Sequence, residues 1–333
     1  MSSSSGPERS PQLDVEAVAE AEALEHVEHG LPHERALAAG AEPAARAGGG
    51  GITALWAAPG FAWLALYLIA PLVFIVLVSF WTYEQGARSG FVTDWTLQNY
   101  VDLFDDETYW RNMLTSFTTS VIAVAACILI GFPVAYFLAL KVQSLKWQIA
   151  LFIVALAPFW TSFLTRSIAW TYPLMGREGA LNQALTGLGI VDEPVEALGF
   201  STLSVRLAMI QLYVLFMVTP LFFVLAQVDR SALEAARDLG ANGWRTFREV
   251  IVPQAMPGVV IGSIFIFVLT MGEYGTVRVI GGNTVSSVGT IVQSKVEIGI
   301  QYPQGAASAV LLVLALILGV FVITRFSNLR EEL

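Results

Sequence analysis

Apolar residues run through most of this 333-residue chain in long stretches, interrupted by shorter polar blocks. Six stretches reach the roughly 20 residues that a helix needs to cross the hydrocarbon of a bilayer: about 55–81, 113–140, 147–165, 207–228, 254–272 and 303–324. Peptide groups find no partner in lipid, so each stretch is predicted to be a helix. The pattern therefore predicts an all-α membrane bundle of six transmembrane helices, with the lipid bilayer as its solvent. Pro71, Pro133, Pro158 and Pro220 lie within these stretches and are expected to bend them.

The first 51 residues follow another pattern: Ser-rich, then Ala- and Glu-rich, then Gly48 to Gly51. Nine acids against three arginines give this tail most of the chain's net charge of −9. Such a segment buries too little apolar surface to fold alone, so 1–51 is expected to be a disordered cytoplasmic tail, with at most a marginal helix at 13–29. It lacks the basic start and apolar core of a signal peptide. The membrane domain is expected to occupy 52–333.

Composition narrows the chemistry. The chain is 55% hydrophobic and 14% charged, and its one cysteine, Cys127, lies within the second stretch. His26, His29 and His33 all fall in the tail, so the membrane part has no histidine- or cysteine-based catalytic centre, and no metal site is expected. None of Lys141, Lys146 and Lys295 follows a glycine, which excludes a GxxxxGK[ST] phosphate loop. Nucleic acid is not an expected partner.

Six spans place both termini on one side, together with Lys141, Lys146, Arg230, Arg237, Arg245, Arg248, Arg325 and Arg330. Cations in short loops mark the cytoplasmic face. The opposite side holds Asp102, Asp105, Asp106 and Glu107 and three long loops, 82–112, 172–206 and 279–302, expected to form short interfacial helices. Trp81, Trp95, Trp110 and Trp170 suit headgroup anchors.

One cytoplasmic stretch is unusually dense in charge: EAARDLGANGWRTFREVIVPQAMPG, beginning at Glu234. Ser231 and Glu234 have capping-box spacing, which predicts a helix from about Ala232. Ala232, Ala235, Ala236 and Leu239 share one face, and such small side chains suit close packing against a neighbour. Gly240 stands where a helix end needs a left-handed residue. A second short helix is predicted with Trp244, Phe247, Val250 and Ile251 along one side, stopped by Pro253. The product is a helix, turn and helix with an apolar ridge and a charged rim, which suits docking; an amphipathic loop lying on the membrane is the alternative.

Glu234-Ala-Ala, a glycine six residues on and a proline nineteen on together resemble the EAA signature of permease subunits in bacterial type I ABC importers. Within them the chain is most similar to the spermidine/putrescine branch, through RSIAWTYPLMGREGALNQALTGLGI from Arg166, MGEYGTVRVIGG from Met271 and QYPQGAASAV from Gln301. The resemblance runs from about Ala54 to the C-terminus. It implies six helices with a cytoplasmic coupling helix between the fourth and fifth (loop 229–254). It further implies a transport subunit that is not itself an enzyme, in the bacterial plasma membrane with both termini cytoplasmic. Glu234, Ala235, Ala236, Gly240, Arg245 and Pro253 would then couple to a dimer of ATP-binding subunits. ATP and Mg would be held there, and no cofactor by this chain. A second permease, related or a copy of this chain, would complete the pore, and an extracytoplasmic binding protein would deliver a polyamine. Loop 278–287 would lie near that protein. Ferric iron, thiamine, an opine or sulfate are alternative cargoes, and a secondary transporter is the alternative class.

Glu273 ends the fifth stretch and is the acid nearest to hydrocarbon, where a carboxylate requires a partner or a function. The related permeases carry an acid at this place, which suits a polycation. Its alternatives are a headgroup-level carboxylate or an ion pair with Arg166. Trp170 and Tyr274, with Trp160 and Tyr172, offer cation–π contacts to the cargo or else serve as anchors and packing.

Overall fold

The computed structural model describes residues 58–84, 90–171 and 176–328, with Arg230 and 326–328 described by backbone alone. The acidic tail 1–51, residues 52–57, Tyr172 and Arg330 lie outside the described residues. Two units divide the chain, Met1–Leu68 and Ile69–Leu333. In the first, the rings of Trp63 and Tyr67 lie 4.4 Å apart.

Among the described residues five helices are long and apolar enough to span: α1 (Ala58–Val78), α3 (Glu107–Lys141), α7 (Thr202–Leu225), α9 (Gly243–Met271) and α12 (Tyr302–Asn328). The expected third span is broken. Leu145–Trp160, here α4, and α5 (Phe163–Ala169) meet at an 85° bend, so the total is six only if this pair counts as one. The cause is local: Pro158 sits in a 3-10 turn, Ala157–Trp160, and Thr161 and Ser162 then turn to extended ψ values of 136°. Proline removes an N–H and clashes with the preceding turn, so the helix ends instead of bending. Pro133 and Pro220 lie inside continuous helices, and Pro71 follows a π-turn, Ala65–Ile69.

Short elements decorate the loops: α2 (Gln98–Asp105), α6 (Ala180–Gly187), α8 (Arg230–Asp238), α10 (Gly275–Gly281) and α11 (Val288–Gln293). One connection departs from the helical expectation. Trp81–Tyr83 (β1) and Phe91–Trp95 (β2) pair antiparallel, with Thr82 opposite Val92, so Trp81 belongs to a ribbon and not to the first span. Aromatic and β-branched residues favour that pairing. Asn99 of α2 fastens it by donating to the carbonyls of Ser79 and Trp81 at 2.9 and 2.8 Å.

The core is the three-helix contact of α3, α7 and α9, with α7 central. Lipid is as apolar as leucine, so burial gives little drive; association rests on how closely backbones approach. The sequence answers with small residues. Ala123, Cys127, Gly131 and Ala135 recur every fourth position along the buried side of α3, and Ala255, Gly258 and Gly262 line α9. At Gly258 an added Cβ would stand 3.0 Å from Leu221 Cα and 3.1 Å from the Pro220 carbonyl oxygen, both backbone atoms.

Gly258→Val should therefore force α7 and α9 apart, costing about 1–3 kcal/mol by overpacking. The thermal midpoint of the purified protein in detergent checks this. Gly187→Ala is the control, since nothing lies within 4 Å of its added Cβ; equal midpoints for both variants would contradict a tight contact.

Candidate functional site

The charged stretch folds into an elbow. Asp229, not Ser231, caps α8: its carboxylate accepts from the Ser231 N–H at 2.9 Å and from Ser231 Oγ at 2.7 Å. An acid complements the helix N-terminus better than a hydroxyl does, and the helix starts at Arg230 as a result. The bonds from Ser231, hydroxyl first and then amide, hold the Asp229 carboxyl below its usual range. At the other end Gly240 has φ +80°. Its N–H reaches the Arg237 carbonyl at 2.8 Å and the Ala241 N–H reaches Ala236 at 2.9 Å, the paired bonds of a Schellman ending. Asn242 then caps the next helix by accepting from the Arg245 N–H at 2.8 Å.

That next helix is α9 itself. Pro253 was expected to stop a short helix, but Gly243–Met271 is continuous. A π-turn at Phe247–Ile251 joins the two parts, with the Val252 N–H bonded to the Phe247 carbonyl. The π-turn shifts the hydrogen-bond frame, so that Pro253 falls at the opening of the following α segment, where a missing N–H costs little.

The predicted ridge is divided between two surroundings. Phe247 faces inward, its ring 5.5 Å from Phe132 and 6.1 Å from Tyr136 of α3, and Ile251 is buried. Leu239 and Trp244 remain outside, 86% and 70% exposed. Trp244 stacks on Phe247 at 5.5 Å, which ties the exposed ring to the bundle. Glu234 and Ala235 are exposed, Ala236 is half-buried, Pro253 is exposed, and Arg245 pairs with Glu249 at 2.9 Å. The expected close packing of the alanine face finds no complete partner within the described chain.

The second place lies at the far end of α9. Glu273 Oε2 accepts from the Tyr213 hydroxyl at 2.7 Å and Oε1 from the Thr276 N–H at 2.8 Å. Its carbonyl accepts from Ser287 Oγ at 3.0 Å. Ser167 of α5 meets Thr276, their hydroxyl oxygens 3.3 Å apart. Four segments thus converge on one half-buried acid. Arg166, on the neighbouring α5, makes no ion pair among the described residues, and the carboxylate accepts instead from Tyr213 and Thr276. The Trp170 Nε1–H donates to Gln211 Oε1 at 3.0 Å and ties α5 to α7. Tyr274 is 46% exposed. Tyr213 and Thr276 went unread in the sequence; the only signal was a tyrosine hydroxyl in a span, which requires a partner.

Beside this end, a cavity of about 410 Å³ is lined by Asp106, Arg278, Asn283, Ser286 and Lys295 among others, and so includes much of loop 278–287. Burial lowers the Lys295 pKa, opposed by the charges of Asp106 and Asp102.

No protein-family model matches the chain. The chain is 33% identical over 272 residues to the spermidine/putrescine transport system permease protein PotB of Haemophilus influenzae, covering 82% of this chain and 93% of that one. The PotB protein of Escherichia coli K12 is 32% identical over 270 residues, 81% of this chain and 96% of that one. Among solved structures, a bacterial ABC transporter that imports the acidic polysaccharide alginate superposes with a TM-score of 0.60 at 18% identity, covering 82% of this chain and 94% of the other. That likeness extends to the fold.

Tyr213→Phe should leave one oxygen of a half-buried carboxylate without its donor, a loss of about 1–3 kcal/mol. The expected result is a lower thermal midpoint in detergent, with Tyr274→Phe unchanged because its ring is exposed. Identical midpoints would show that Tyr213 does not hold the acid.

Proposed function

This chain belongs to the spermidine/putrescine permeases of bacterial ABC importers, multi-pass inner-membrane transport subunits that are not enzymes, and from that premise we propose how it works on a polyamine. The observation that carries the reading is α9. Its first turn forms the exposed elbow, and its last residue, Met271, lies two before Glu273. At 1.5 Å per residue, 29 residues make a lever of about 43 Å, the reach of a membrane with its headgroups.

The elbow is the coupling element, and it faces the cytoplasm along with both termini. Leu239 and Trp244 are its apolar contacts with a dimer of ATP-binding subunits, where ATP and Mg reside. Ala235 and Ala236 supply the small-residue face, Glu234 the charged side beside it, Gly240 the reversal, and Arg245 with Glu249 a braced rim; Pro253 marks where elbow becomes span. Closure of the ATPase pair displaces the elbow, and α9 carries that displacement to Glu273, tilting the bundle from inward-open to outward-open. A second permease completes the path. An extracytoplasmic binding protein docks on the outer loops, including 278–287, and releases cargo.

Glu273 supplies the negative charge that a polyamine meets. A carboxylate shielded from bulk water attracts an ammonium far more strongly than an exposed one. Tyr274 adds an exposed ring beside it for a cation–π contact. Trp170 acts by positioning α5.

Reconstitution of the complex in liposomes with its binding protein should give ATP-dependent uptake of labelled spermidine or putrescine; stimulation only by another solute would move the chain to a different cargo. Glu273→Ala should abolish uptake while the ATPase subunits remain bound, and unchanged uptake would remove this acid from the path. Trp244→Ala should weaken capture of the ATPase subunits about tenfold or more, as an exposed aromatic anchor does, with membrane insertion intact.

A further inference from the structure

Among the described residues, Arg166 is the only charged side chain with solvent-shielded polar atoms that find no hydrogen bond: both Nε and Nη1 lack a partner. A guanidinium in that condition is expensive to keep, and an arrangement that supplies an acceptor relieves the cost. The surroundings of Arg166 identify that arrangement.

Arg166 sits on α5, the short limb beyond the 85° break. The next residue, Ser167, touches Thr276, and Thr276 gives its N–H to Glu273. An added Cβ on Gly275 would stand 3.3 Å from Glu273 Oε1 and 3.9 Å from Leu164, so only Gly275 separates α5 from the acid at this point. Tyr213 lies within electrostatic reach of both Arg166 and Glu273. A carboxylate has about four lone-pair sites, and side chain and backbone donors here use two. Glu273 therefore retains acceptor capacity, while Arg166 retains donors.

Resting on the proposed transport of a polycation, we infer that Arg166 is a tethered counter-ion for Glu273. In this conformation Tyr213 and Thr276 hold the carboxylate. Rotation of α5 about residues 161–162 brings the guanidinium onto the same oxygens in another conformation of the transport cycle. The guanidinium and a substrate ammonium then compete for one acid. An empty path holds no free carboxylate, and the arriving cation regains the interaction that Arg166 gives up. This accounts for an arginine beside the path of a polycation, which an unpaired fixed charge would obstruct.

The test uses the whole complex with its ATPase subunits. In Arg166→Lys the introduced amine can be joined by a carbodiimide to Glu273 only when the two are in contact, and the product is read by mass spectrometry. The expected yield differs about fivefold or more between nucleotide-free and vanadate-trapped complexes, at the lower end of ordinary coupling between states. Excess spermidine should lower the yield in the paired state, and Glu273→Gln should abolish the product. Equal yields in both states, or no product in either, would overturn the inference. If Arg166→Lys fails to assemble, Arg166→Glu combined with Glu273→Lys carries the same reaction and the same criteria. Uptake by the unmodified complex is measured in parallel. A state-dependent product without polyamine uptake leaves the ion pair standing and overturns the cargo; uptake with a state-independent product does the reverse.

Discussion

Everything in this protein depends on how closely α7 can lie against α9. In lipid the usual incentive for helices to associate, the removal of apolar surface from water, is largely missing, and dispersion between well-fitted backbones takes its place. That explains why small residues stand at close contacts of the core, Gly258 against the backbone of α7 and Ala255 and the four-residue series from Ala123 fully or nearly fully buried, while Phe321 lies outside. Because α7 also supplies Tyr213, the same contact that holds the bundle sets the distance between the hydroxyl and Glu273. Packing and site geometry are one constraint here.

Around this centre the described backbone is irregular in several places, including π-turns at Ala65–Ile69, Phe137–Lys141 and Ser294–Ile298, and two of the irregularities bear on the elbow and on Glu273. One is the break after Pro158, which frees α5 from α4. The other is the elbow with its π-turn, at the opposite end of α9. Breaks in the backbone need not be soft: Trp170 to Gln211 and Ser167 to Thr276 hold the α5 limb against α7 and α10 by side chains, and such links can be exchanged without unfolding a helix.

Much of this organisation was legible in the sequence. Five of the six apolar stretches became continuous helices, since length and apolarity alone decide what can lie in a bilayer. The reversal at Gly240 was also legible, because a left-handed residue after a helical run has few substitutes. Other features were not. Asp229 and Ser231 are both good caps two residues apart, and only the folded chain shows which takes the position. Pro158 and Pro253 have the same chemistry, yet one breaks its helix and the other opens a segment after a π-turn; the difference lies in the hydrogen-bond frame, which residue order does not display. Tyr213 and Glu273 are 60 residues apart, so their bond belongs to the tertiary fold. The alternative of an ion pair between Glu273 and Arg166 is not what this structure shows; Tyr213 and Thr276 bond the acid.

The π-turn at Phe247–Ile251 also has a phasing consequence. A π-turn amounts to one residue inserted into an α-helix, and one residue is worth about 100° of rotation around the helix axis. It therefore sets the azimuth at which Leu239 and Trp244 emerge relative to Glu273, independently of how long the helix is. Two chains sharing every residue of the elbow and every residue of the span, but differing by a single position between them, would turn the exposed side chains of the elbow to different sides. The angular register between the elbow and the Glu273 end of α9 is stored in these five residues.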